Sequence, residues 1–311
     1  GTGAMSRTVE RPGLFEGDPV QAADTVKRKA LAMGADFVGI GSIDRWEGAP
    51  TQMDPRQIMP ECRSVVCMGF RVMRGSLRGI EEGTYFSNYS SMGYGGITYL
   101  YMPMTVINLS KWIEDHGYES VPMGHQSDWR AIDNVGRLKE GSRPVAQGRA
   151  APDVMIQLRI AAFLCGCGEI GMSKMFLSPQ FGPRNRVGII MTEAPLAPDP
   201  LYNGPQLCDA CGACAEACPG GAINTENIVS VNLAGREVKW WDIDCEKCEV
   251  FFTGGEIREG PLDEDEKYLE SRKEGRYVGR GPHTPFYKKP KKLYNTGQAV
   301  CGARGCTRAC M

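Results

Sequence analysis

Four cysteines in the order Cys208-x2-Cys211-x2-Cys214-x3-Cys218-Pro219 constrain this 311-residue chain more than any other feature. The spacing is that of a ferredoxin-type run, in which three cysteines on a tight loop reach three corners of one [4Fe–4S] cubane. In the two-cluster version the fourth cysteine ligates the neighbouring cluster, so a second cysteine group is required. Cys245, Cys248, Cys301, Cys306 and Cys310 supply one. A structural zinc site would use two separated pairs instead. Disulfides suit short secreted chains. Here nine of the thirteen cysteines lie beyond residue 207 at cluster-like spacing, and thiolate ligation to iron explains them better. The exchange of ligands returns Cys310 to the first cluster, with Cys208, Cys211 and Cys214. Cys218, Cys301 and Cys306 then hold the second with one member of the Cys245/Cys248 pair. Cys245 is preferred and Cys248 is the alternate. A single cluster with a spare cysteine tail is the simpler alternative. Two clusters joined by shared ligand segments make a wire for low-potential electrons, in a reducing setting.

The rest of the chain says where a wire could lead. Hydrophobic residues make up 42% and charged residues 23%, with a formal net charge of −1, which suits a globular protein and gives no reason to expect nucleic acid as a partner. The basic run Lys288-Lys289-Pro290-Lys291-Lys292 reads as a solvated loop, or more sharply as a docking patch for an acidic electron donor. No apolar stretch reaches the ~18 residues of a membrane span. Residues 1–4 read as a tag remnant before Met5, and no signal core follows, so the expected location is the cytoplasm.

Hydrophobic periodicity predicts a helix over 19–34, strands at Phe37–Ile40 and Ser64–Phe70, and an irregular loop over 75–97. It then predicts a helix through Met102, Val106, Leu109 and Ile113, a strand at Ser120–Met123, a helix over 153–164 and a strand at Val187–Met191. This is an α+β chain: an α/β core around a mixed sheet over 5–197, then a ferredoxin-like domain over 198–311, joined at Ala197-Pro198-Asp199-Pro200. In the second part clusters are expected to take over the role of a hydrophobic core. Cys62, Cys67, Cys165 and Cys167 read as buried packing.

The segment before the cysteine run carries a resemblance. Gly166-Cys167-Gly168-Glu169-Ile170-Gly171, then Pro179-Gln180-Phe181-Gly182-Pro183-Arg184-Asn185-Arg186, then Thr192-Glu193-Ala194-Pro195-Leu196 follow in order. This order resembles the corrinoid-dependent reductive dehalogenases and, more distantly, the epoxyqueuosine reductases, over about residues 100–310. The resemblance implies a nitroreductase-like core that binds base-off cobalamin, followed by two [4Fe–4S] clusters. It implies cofactor contacts at Met123, Gly124, Gly166, Gly168, Gly171, Lys174, Ser178, Gln180, Gly182 and Arg184. It also implies a tyrosine acid helped by a cation, which maps to Tyr99 with Tyr101 and Tyr94 as rivals, and to Arg184 with Arg186 second. His125 is a candidate substrate-facing group. The expected partners are a small-molecule substrate, with organohalides the class implied, and a low-potential donor such as ferredoxin or flavodoxin.

Departures from the pattern bear on the substrate. The polar insertion Gln126–Ala151 is either a channel cap or a surface loop. The aspartate-bearing V-D-S-A-P element of the epoxyqueuosine reductases is replaced here by Val121-Pro122-Met123-Gly124. A non-enzymatic alternative is an electron carrier or corrinoid-handling protein that turns over no substrate.

Overall fold

A computed structural model describes residues 13–82, 84–85, 88–125, 144–152, 154–252, 255–256, 278–280 and 300–311. The Lys288–Lys292 run and positions 126–143 of the insertion lie outside the described residues.

The first part is built on a four-stranded sheet of β1 (Phe37–Ser42), β2 (Ser64–Arg71), β3 (Ser120–Met123) and a later strand, Asn185–Thr192. The spatial order runs β1, β2, Asn185–Thr192, β3, and every neighbouring pair is antiparallel. The mixed sheet expected from alternating helices and strands is therefore corrected. The chain returns between adjacent strands in opposite directions, and among the described residues no parallel pair is made.

Seven of the eight residues of β2 are buried, because helices cover both faces of the sheet. Successive side chains alternate between the faces. Val66, Met68 and Phe70 join one apolar cluster with α1 (Pro19–Ala32) and α3 (Met102–Glu114), while Val65 and Cys67 join another with α4 (Leu158–Leu164). A strand sandwiched this way reads as a continuous apolar run, and this is why the sequence located it correctly. Helix α1 starts where the Asp18 side chain accepts the Val20 N–H at 2.9 Å, with Pro19 in the first turn.

Three stretches depart from the sequence reading. The described residues of 75–97 are largely helical: α2 covers Arg78–Glu81 and a π-helix runs Tyr89–Tyr101 into α3. The composition, rich in Gly, Ser and Tyr, looks like a loop, but tight packing overrides it. A Cβ on Gly93 would lie 3.0 Å from Ser76 Cβ, and one on Gly96 would lie 2.8 Å from the Ser91 carbonyl. Helix α4 begins at Leu158, later than expected, because the Met155 amide is already used by the Gln52 carbonyl at 3.0 Å. The connection near residue 199 is tied to the core: Asp199 accepts Lys27 Nζ at 2.8 Å and the Ile40 N–H at 2.9 Å.

Beyond the connection, a two-stranded hairpin of Ile223–Leu233 and Arg236–Ile243 was not expected from the sequence. Its two-residue tip, Ala234-Gly235, has φ of 51° and 82°, the left-handed pair that such tight hairpins require. Val238, Trp240 and Trp241 are buried, so hydrophobic packing persists in this part, and the expectation that clusters alone replace a core is corrected.

Candidate functional site

The cysteine loop begins on the segment 166–171. Glu169 accepts the Leu207 N–H at 2.8 Å, and the Met172 N–H points to Cys208 Sγ at 3.4 Å. Gly212, with φ of 84°, turns the chain into the short helix Ala213–Glu216, which carries Cys214. The C-terminal helices Val300–Arg304 and Cys306–Ala309 then return to this loop. A hydrogen bond with Cys310 holds the Cys214 thiol down to about 6, while that same hydrogen bond, then burial and the neighbouring Cys214, Cys208 and Cys211, push Cys310 up. Cys208, Cys211, Cys214 and Cys310 therefore share one neighbourhood.

The second group gathers elsewhere. Cys218, Cys248, Cys301 and Cys306 line one wall of a cavity of about 420 Å³. Burial pushes the Cys306 thiol up to about 11, and the charges of Cys218 and Cys248 add to this. The Ala222 N–H points to Cys218 Sγ at 3.4 Å, the kind of N–H···S contact that tunes a cluster's potential. Cys245 does not line the cavity, and its thiol faces the Ile243 carbonyl at 3.4 Å. The geometry thus gathers the alternate, Cys248, with the other three. Among the described residues no three His, Cys, Asp or Glu side chains converge as ligands of a single ion. Two quartets of cysteine suit cubanes, whose thiolates each hold a separate iron.

The tyrosines line the same cavity, with Tyr89 near Cys301 and Cys306. Tyr89, Tyr94, Thr98 and Tyr99 come from the π-helix, and His125 and Arg186 complete this end. Arg186 Nη2 donates to Tyr89 Oη at 2.9 Å, and its guanidinium lies 4.8 Å from the Tyr94 ring centroid. The Tyr94 and Tyr99 hydroxyls are 3.4 Å apart, and the His125 ring meets Tyr99 edge-on at 5.4 Å. Burial raises the pKa of both Tyr89 and Tyr94, so their phenols hold their protons firmly.

Two expected catalytic positions lie outside this cavity. Tyr101 donates to the Gly34 carbonyl at 3.2 Å and packs on Phe70. Arg184 Nη1 is bound to the Val72 carbonyl at 2.8 Å, leaving Arg186 as the arginine that faces the tyrosines. Residues two apart in an extended chain point to opposite sides only when a turn intervenes, and Arg184 sits in the turn before the strand. Tyr89 was missed by the sequence reading. The one available signal was an aromatic within a segment whose glycines permit tight helical packing.

The expected cofactor contacts separate as well. Lys174 lines the cavity, with φ of 60° and its Nζ 5.0 Å from the Trp240 ring centroid. Met123, Gly124, Gly166, Gly168, Gly171, Ser178, Gln180 and Gly182 do not line it. A Cβ at Gly166 would meet the Pro200 carbonyl at 2.2 Å, and one at Gly168 the Leu177 carbonyl at 2.0 Å. These two glycines allow the chain to approach itself. Gly171 lies beside Cys208, and Ser178 caps a turn by accepting the Phe181 N–H at 3.2 Å. The four cysteines of the first part are buried, as their packing role requires.

Residues 204–224 match the family described as 4Fe-4S binding domain. A tetrachloroethene reductive dehalogenase of Desulfitobacterium hafniense is 32% identical over 101 residues, which cover 30% of this chain and 18% of that protein. An epoxyqueuosine reductase of Synechococcus sp. (strain CC9605) is 25% identical over 241 residues, covering 77% of this chain and 60% of that one. The chain thus spans less than two thirds of the length of either relative. Among solved structures, the catabolic reductive dehalogenase NpRdhA in complex with 3-bromo-4-hydroxybenzoic acid superposes with a TM-score of 0.52 at 22% identity, over 77% of this chain and 30% of that chain. This likeness establishes a shared fold of mixed helix and sheet. The relatives are oxidoreductases, and they carry the names of the two families that the sequence resembles. Among the described residues no helix is long and apolar enough to cross a membrane.

Proposed function

We propose that this chain is a cobalamin- and [4Fe–4S]-dependent reductase acting on an organohalide, with a nitroreductase-like core over 5–197 and two clusters held by the part over 198–311. The observation that carries the reading is one cavity lined both by four cysteines and by a tyrosine–arginine set. In this reading Cys208, Cys211, Cys214 and Cys310 hold the first cluster, and Cys218, Cys248, Cys301 and Cys306 the second.

The residues present suit a polar-edged cofactor. Thr98 and Arg186 line the cavity, and Thr98 Oγ1 and Arg186 Nε are buried with no hydrogen-bond partner among the described residues. When bound, the clusters and corrinoid supply electron transfer and reductive cleavage of the carbon–halogen bond. The protein's own share is positioning and proton delivery. Tyr99 is the proposed proton donor, and the Tyr94 hydroxyl, 3.4 Å away, orients it. Arg186 beside Tyr89 and Tyr94 offsets the cost of forming phenolate once the proton has left. A ferredoxin or flavodoxin is the proposed electron source.

The test is anaerobic reconstitution with iron, sulfide and cobalamin, followed by absorption spectra and halide release from a panel of halogenated phenols and ethenes. Stoichiometric corrinoid and steady halide release are expected. Clusters without retained corrinoid would sink the reading. Retained corrinoid with no halide released would favour the corrinoid-handling alternative. Turnover of an epoxyqueuosine-bearing tRNA would favour the other named relative.

A further inference from the structure

Exposure separates the two cysteine quartets. In the first, Cys211 is exposed at the surface, while all four members of the second line the cavity. The surface beside the first quartet is built of arginines. Arg308 stands two residues before Cys310. The turn at Phe181-Gly182 backs onto the Cys310 carbonyl, which lies 3.9 Å from where a Cβ on Gly182 would be. The Arg71 guanidinium is 5.9 Å from the Phe181 ring centroid. Arg308 is tied to Glu81 at 2.7 Å, Glu81 also takes Arg74 at 2.8 Å, and Glu82 takes Arg78 at 2.9 Å. The shared carboxylate is sunk while the guanidiniums stand out: Glu81 is 14% exposed, against 50% for Arg74, 43% for Arg308 and 71% for Arg78. The exposed Arg304 ends the helix Val300–Arg304, which packs on α2. Five guanidiniums therefore share this face with three carboxylates, of which the third, Asp36, pairs with Arg71 at 3.2 Å.

We infer that this arginine face is the docking surface of an acidic one-electron carrier protein, which delivers its electron at the first quartet. This rests on the proposed reductase reading and adds where its donor binds. The outward quartet is the entry and the quartet on the cavity the exit, so a carrier belongs beside Cys211 and Cys310. A surface of one sign at that entry steers a carrier of the other sign and raises its encounter rate. The ion pairs with Glu81 and Glu82 also hold the guanidiniums in place, so less side-chain freedom is lost when a partner docks. On the cysteine loop, the exposed Asp209 and Glu216 carry the opposite sign. That contrast sets which way an acidic partner turns as it approaches, toward Arg308 and away from the loop. No bond forms or breaks in the transfer: the carrier loses one electron and the cluster gains it.

The experiment measures binding, separately from turnover, in the reconstituted holoprotein. The probe is oxidised flavodoxin, a small acidic carrier, titrated in about 50 and about 500 mM sodium chloride. Affinity is expected to fall at least about tenfold at the higher salt, where exposed charges are screened within a few ångströms. At low salt, Arg78→Glu should weaken binding about tenfold, while Lys111→Glu, the same charge change on α3, should leave it alone. Both variants should keep the parent's iron content and circular dichroism. In stopped flow with reduced flavodoxin below saturation, the rate of cluster bleaching should fall in step with affinity. Salt-independent binding by the parent would overturn the inference without recourse to any variant. Equal weakening by Arg78→Glu and Lys111→Glu would overturn it as well. So would full binding by Arg78→Glu together with loss on neutralising the Lys288–Lys292 run, which would move docking to that run. The two readings fail separately. Clusters without retained corrinoid would remove the reductase and leave the docking result standing. Halide release by a protein whose Arg78→Glu variant binds flavodoxin like the parent would remove the docking surface alone.

Discussion

At the scale of single residues, close neighbours decide what each group can do. Gly166 has φ of 77° and the Pro200 carbonyl where a Cβ would go. Gly166→Ala should therefore destabilise the fold by about 2 kcal/mol or more, read as a lower urea midpoint, because neither the backbone nor its neighbour can yield. If Gly166 instead served a ligand, the substitution would change cofactor affinity and leave the midpoint alone. Cys248 and Cys245 are separated by a similar contrast. Cys248→Ser should alter the EPR signal of one cluster, and Cys245→Ser should leave both signals in place. Because burial lifts the Cys306 thiol to about 11, the thiolate needed for iron is scarce at neutral pH. Its fraction rises about tenfold per pH unit below that value. Cluster assembly on the apo-protein should accordingly speed up between pH 7 and 9, measured by the growth of charge-transfer absorption.

At the scale of elements, the C-terminal cysteine helices depend on a clasp far away in sequence. Glu81, at the end of α2, receives Arg308 Nε at 2.7 Å and Arg74 Nη2 at 2.8 Å. Arg308 lies between Cys306 and Cys310. The Arg74 hydrogen bond, aided by the Arg308 charge, holds the Glu81 carboxyl below the usual carboxylate range. A carboxylate lowered in the folded state contributes stability above its unfolded pKa of ~4.3, and that contribution disappears as pH falls through the folded value. Acidification below pH ~4 should thus loosen the C-terminal helices, and Glu81→Gln should reproduce part of the loosening at neutral pH. The expected readout is faster bleaching of cluster absorbance by an iron chelator. Equal bleaching rates in the variant and the parent would show that the clasp does not hold the ligands. The π-helix follows the same logic: Tyr89, Tyr94 and Thr98 are buried on it and Tyr99 half-exposed, so its hydroxyl groups meet at one end of the cavity.

At the scale of the whole molecule, the ligands of both proposed clusters come from the loop at 208–218, from Cys248 and from residues 301–310, so bound metal would tie these three segments together. Removing iron anaerobically should lower Tm substantially and free the C-terminal helices first, seen as early loss of amide protection over 300–311. Much of this was legible in one dimension. The strands of the sheet were found because burial on both faces writes unbroken apolar runs, and α1 and α3 because one buried face writes a 3.6-residue period. The first cysteine run was legible because ligation by a tight loop fixes its spacing locally. The choice of Arg186 over Arg184, of Cys248 beside Cys301 and Cys306, and the presence of Tyr89 were not legible, since each depends on which side chain turns toward a cavity formed by segments distant in sequence. Local spacing by itself determined the iron–sulfur character of this protein, through the cysteine run that matches a 4Fe-4S binding domain. Only the tertiary structure decided which cations, hydroxyls and thiols face one another, because those meetings follow from packing across the sheet and from the return of the chain's end.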